Sequence, residues 1–103
     1  MRWKNTDGWN LSDLSANITM SDSYALTADE KRPFVAFTCS AASKVLTLGL
    51  ANGQAAIIIN TGGTNSVTVK NVSGDTGTAI AAGKCAIVIA STTANGSTVA
   101  VLN

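Results

Sequence analysis

The sequence predicts an all-β protein: about eight short antiparallel strands in a sandwich, jelly-roll-like, with an irregular N-terminal arm. Three observations lead there. Short runs rich in Val, Ile, Thr and Phe recur along the chain, separated by clusters of Gly, Asn, Ser and Thr. No stretch keeps the apolar spacing of a helix, and residues 67–70 (VTVK) alternate as a half-buried strand does. The turn signals, Asn52-Gly53 and Gly62-Gly63 among them, fall between the apolar runs and not within them. At 103 residues the chain is sized for one domain, divided here into an arm at 1–16 and a β-domain at 17–103.

Residues 1–16 have neither strand nor helix periodicity. Trp3, Trp9, Leu11 and Leu14 are apolar beads among Lys4, Asn5, Asp7, Asn10 and Asp13, with a turn signal at Asp7-Gly8. Both tryptophans of the chain lie in this arm. A buried Trp removes ~150–250 Å² from water, so solvation would forfeit a large apolar gain. The arm therefore either folds back on its own sheet or anchors on a neighbouring molecule, where Trp is a favoured contact residue.

Residues 18–26 partly alternate and read as a strand broken near Ser21-Asp22. Residues 27–33 (TADEKRP) form the one charged cluster. Thr27 is a possible cap for at most one helical turn, because Pro33 disfavours helix at Arg32. Residues 34–40 (FVAFTCS) read as a buried strand, and residues 45–50 alternate well. Residues 55–59 (AAIII) and 67–69, with Asn60-Thr61-Gly62-Gly63-Thr64-Asn65 between them, read as the two arms of a β-hairpin. A loop at 73–77, a short strand at 78–81, a mostly apolar strand at 84–91, a turn at 92–96 and a last strand at 98–102 complete the chain.

The three successive isoleucines Ile57, Ile58 and Ile59 shape the functional reading. Neighbours in a strand point to opposite faces of a sheet, so both faces of this strand want apolar cover. A second packed sheet covers one face; the other cover must come from an arm of the chain or from another subunit. Charged residues are 13% of the sequence, against about 25% in ordinary globular proteins. After Pro33 only Lys44, Lys70, Asp75 and Lys84 carry charge. Such a body fits a surface covered by partners, or one hydrated by Ser and Thr. Open strand edges with so little charge invite association, and the expected state is a homo-oligomer, trimer slightly ahead of dimer.

Several functions are disfavoured by composition. A net charge of +1 argues against a nucleic-acid partner. No run approaches the ~20 apolar residues of a membrane helix, and the first residues lack the apolar centre of a signal peptide, so assembly in a cytoplasm is expected. The chain has no histidine, which removes His-assisted nucleophilic catalysis. Six scattered acids and two distant cysteines offer no metal-ligand spacing. Cys39 and Cys85 read as buried free thiols or as a disulfide between adjacent strands. Neither glycine-rich loop matches a phosphate loop. Asp75-Thr76-Gly77 has the form of an aspartic-protease triplet, but that chemistry needs two facing carboxylates. No enzyme, cofactor or metal is expected.

Leu46-Thr47-Leu48, Asn52-Gly53-Gln54, the Ile-rich run into Asn60-Thr61-Gly62-Gly63, Val67-Thr68-Val69, and Ala81-Ala82-Gly83-Lys84 before a final apolar strand resemble small β-rich virion proteins of tailed bacteriophages. Such modules occur in capsid decoration (cement) proteins and in fibre proteins. The resemblance covers roughly residues 45–102 and implies a non-enzymatic virion protein. It would bind the outer surface of the major capsid protein lattice as an oligomer and stabilise it. On that reading Arg2, Trp3, Lys4, Trp9, Leu11 and Leu14 are the expected partner contacts. The alternative is a phage fibre or receptor- and glycan-binding module. That role calls for exposed aromatics, and the strand region offers Tyr24, Phe34 and Phe37.

Overall fold

The computed structural model describes residues 15–102. Within them the chain is all-β, with strands β1 (Ser15–Met20), β2 (Tyr24–Ala25), β3 (Phe34–Cys39), β4 (Lys44–Thr47) and β5 (Ala55–Asn60) in its first part. There follow β6 (Val67–Lys70), β7 (Thr78–Ile80), β8 (Cys85–Ile89) and β9 (Thr98–Leu102). The helical element among the described residues is a single 3-10 turn at Ala28–Glu30. There the Thr27 amide donates to the Glu30 carboxylate at 2.9 Å, the reach-back of a capping box.

The strands form two mixed sheets. The larger has the order β1-β3-β5-β8-β9 and the smaller β2-β4-β6-β7. Successive strands from β1 to β6 alternate between the sheets, so each pairs with the strand two places away in the chain. Those ladders, β1 with β3, β3 with β5, β2 with β4 and β4 with β6, are all parallel. Only β5 with β8, β6 with β7 and β8 with β9 are antiparallel. The expected antiparallel pairing is thereby corrected for the first six strands, which also depart from the connections of a jelly roll. Parallel neighbours require a long crossover; here each crossover runs through a strand of the opposite sheet, with no α-helix among the described residues to announce it.

The expected hairpin at 55–69 is corrected for the same reason, because β5 and β6 lie in different sheets. Asn60 directs the chain across. Its fully buried side chain accepts the Gly62 amide at 3.0 Å and donates to the carbonyls of Asn65 and Ile80, both at 2.9 Å. Thr61 then donates its amide to the Phe37 carbonyl at 2.8 Å, tying the exit to β3. The first strand also begins earlier than expected, at Ser15, and Ala16 already belongs to the core.

Inward-facing side chains of both sheets form one apolar cluster. Phe37, Ile58 and Val35 enter it from the larger sheet, and Leu46, Val67, Val69 and Ile80 from the smaller. At one end, two polar side chains hold three links together. The Asn71 side chain donates to the carbonyls of Leu50 and Ser91 and accepts the Leu50 amide. Asp75 accepts the backbone amides of Asn71, Val72 and Asn95.

Candidate interaction face

In-register partners share a face of a sheet, so the ladders define what the larger sheet turns outward. One row crosses five strands: Ser15, Phe34, Ile57, Ile87, Ala100. The next is Asn17, Ala36, Ile59, Cys85, Leu102. Thr19 lies beside Thr38, and Ala55 beside Ile89 and Thr98. None of these residues is charged.

The two halves of the face differ. Toward β1 it is mostly polar or small, with Asn17 and Thr19 exposed and Phe34 half-buried on β3. Over β5, β8 and β9 it is apolar and open: Ile57 is 39% exposed, Ile87 41%, Ile89 50% and Leu102 43%. By contrast, Ile58 between its two outward neighbours is wholly buried. The smaller sheet turns Thr47, Thr68 and Lys70 outward and resembles an ordinary wet surface. This contiguous apolar, uncharged block is the candidate interaction surface among the described residues.

The predicted contacts Arg2, Trp3, Lys4, Trp9, Leu11 and Leu14 lie outside the described residues. The isoleucine run is where expected, with Ile57 and Ile59 outward and Ile58 in the core. Sequence reasoning missed Ile87, Ile89 and Leu102 as members of the same face. The signal was present, since residues 86–90 (AIVIA) are also apolar at consecutive positions and so apolar on both faces.

The remaining candidates have structural partners. Asp75 is 7% exposed, and its carboxylate is held below the ordinary aspartate value first by the Asn95 amide, 2.6 Å away, and then by the Val72 and Asn71 amides, while burial pushes the other way. A shallow cleft of about 120 Å³ lies beside it, lined by Leu48, Val69, Gly77, Val88 and Val99 among others. With three backbone donors on its oxygens, Asp75 is committed to holding the loops. Cys39 and Cys85 are free thiols on opposite faces of the larger sheet, with β5 between their strands, so they do not pair. Phe37 is in the core, and the Tyr24 hydroxyl donates to Glu30 at 2.7 Å. Among the described residues no three of His, Cys, Asp and Glu gather in one place.

Comparison with known proteins gives no match to a family model, a curated protein or a solved structure.

Proposed function

We propose that this protein is a non-enzymatic virion component, a capsid decoration or cement protein that binds the outside of an assembled phage capsid as a homo-oligomer and stabilises it. The observation that supports this reading is the uncharged apolar block at Ile57, Ile87, Ile89 and Leu102, a surface suited to protein partners. The resemblance of residues 45–102 to phage virion modules supplies the class of assembly. The two sheets are read as the layers of a β-sandwich whose first six strands wind from layer to layer in place of jelly-roll connections. The partner is the major capsid protein, met on the capsid surface after synthesis in the host cytoplasm, and a trimer is slightly preferred to a dimer. Binding only to the assembled lattice stabilises that lattice by mass action. Several footholds on one oligomer add through effective concentration. The arm residues Arg2, Trp3, Lys4, Trp9, Leu11 and Leu14 are the proposed contacts between molecules.

The fibre or glycan-binding alternative draws less support, because Phe37 is buried and the Tyr24 hydroxyl is already engaged, which leaves half-buried Phe34 as the outward aromatic of the three. The test is occupancy on purified capsids of the phage that carries the gene. The reading expects saturable binding and a higher temperature of capsid disruption. Capsids left bare, or binding to a glycan array in their place, would overturn it.

A further inference from the structure

We infer that the open half of the larger sheet, over β5, β8 and β9, is the docking site for residues 1–14 of a second copy of this chain, so that the oligomer is held by exchanged arms. This rests on the oligomeric part of the reading above, not on the capsid. Three features of the molecule lead to it.

The first is area. Three strands at ~4.8 Å spacing and five residues at ~3.3 Å give a patch of about 240 Å². Two such patches pressed together bury about 500 Å² in all, the scale of a crystal contact and not of a stable dimer. Two tryptophans per arm add ~300–500 Å² for each copy. Two arms on two patches then bury about 1,100–1,500 Å², within reach of a standard interface.

The second is the point of attachment. The chain enters the sheet at Ser15 on the edge strand β1, three strands from β8. A segment lying on a sheet sits ~10 Å above it, and three strand spacings are ~14 Å, so a chain's own arm must span ~17 Å to stand over β8. Trp9 and Trp3, six and twelve residues before Ser15, can span that distance within one chain, whereas Leu11, four residues before it, reaches at most ~14 Å and Leu14 stays beside Ser15 itself. Folded back on its own sheet, the arm would leave both leucines short of β8 and β9, with Leu14 over the polar side at Ser15. An arm from a second copy has no such tether and can enter across the open β9 edge. The third feature is charge: the patch has none, and the four side chains that would cover it, Trp3, Trp9, Leu11 and Leu14, have none, while Arg2, Lys4, Asp7 and Asp13 lie between them in the arm and would stay at its rim.

The chain contains its own reporters. Its two tryptophans are Trp3 and Trp9, so their emission reports on the arm alone. Cys85 lies on the outer face and Cys39 on the inner, so alkylation reads the two faces separately. The experiment pairs two full-length variants, one with an altered arm (Trp3→Ser, Trp9→Ser, Leu11→Ser) and one with an altered face (Ile57→Asp, Ile87→Asp). A milder face variant, Ile57→Ser with Ile87→Ser, guards against misfolding. Wild type should be oligomeric, each variant alone monomeric, and their equimolar mixture a complex again, though a weaker one seen only at higher concentration, since one supplies the arm and the other the face for a single arm-on-face contact. On mixing, tryptophan emission should move to shorter wavelength. Cys85 should alkylate at least tenfold more slowly in wild type than in either variant, with Cys39 slow in all three. A monomeric wild type with shielded Cys85 would mean that each arm covers its own sheet. Oligomers persisting in both variants would mean that another surface assembles them. Cys85 reacting equally fast in all three would mean an uncovered face. Each of these overturns the inference. An arm-exchanged oligomer that leaves capsids bare supports it, and defeats only the capsid reading.

Discussion

Asp75 and Gly77 show how single residues hold this fold. Asp75 gathers three backbone amides from the loop after β6 and the loop after β8, and those donors lose their acceptor together if it is removed. Asp75→Ala should lower the unfolding free energy by about 3 kcal/mol, read by denaturant titration. Its acid sensitivity follows from the same bonds. The folded carboxylate titrates below the ordinary 3.8 of aspartate, so its contribution is complete above that pH and is lost as pH falls through the lowered folded value. Asp75→Asn should flatten the fall of stability below about pH 4 relative to wild type; an unchanged slope would assign it to other groups, Asp22 and Glu30 included. Gly77 has φ +86°, and a Cβ there would stand 2.5 Å from the Thr68 methyl and 3.0 Å from Lys70 Cγ. Gly77→Ala should therefore cost roughly 2–4 kcal/mol, combining left-handed strain with overpacking.

At the scale of elements, β5 tests the two-faced reading directly. Ile58→Ala opens a cavity in the closed core and should cost about 3–4 kcal/mol. Ile57→Ser, one position away, should change the stability of the isolated domain by less than ~1 kcal/mol, since it touches only the outer face. Equal losses at both positions would contradict the assignment of faces. Most strands were legible in sequence because β-branched runs and turn residues agree locally. Asn52-Gly53 turns as expected, with Gly53 at φ +81°, and Thr27 opens one helical turn before Pro33. The pairing was not legible. A linker of polar and glycine residues such as 61–66 serves a hairpin or a crossing between sheets equally well by composition. What decides it is Asn60, whose buried side chain ties the linker to Asn65 and to β7, a contact between residues twenty positions apart. The outward apolar block was half legible. Ile57 to Ile59 stood out as an uninterrupted run, whereas the alanines flanking Ile87 and Ile89 disguised an equally two-faced strand.

For the molecule as a whole, winding from sheet to sheet buries one face of each sheet and leaves the other faces unlike one another. The smaller sheet meets water with threonines and a lysine; the larger presents isoleucines, a leucine and a free thiol, with no charge among them. On the proposed reading, that asymmetry makes the outer face of the larger sheet the one a partner covers. The most direct measurement is the native mass of the full chain beside that of its Ile57→Asp, Ile87→Asp variant at equal concentration. A multiple of the chain mass for wild type and a single chain mass for the variant is the predicted result. One chain mass for both, or the same oligomer for both, would contradict the claim that the outer face of the larger sheet is where these molecules meet.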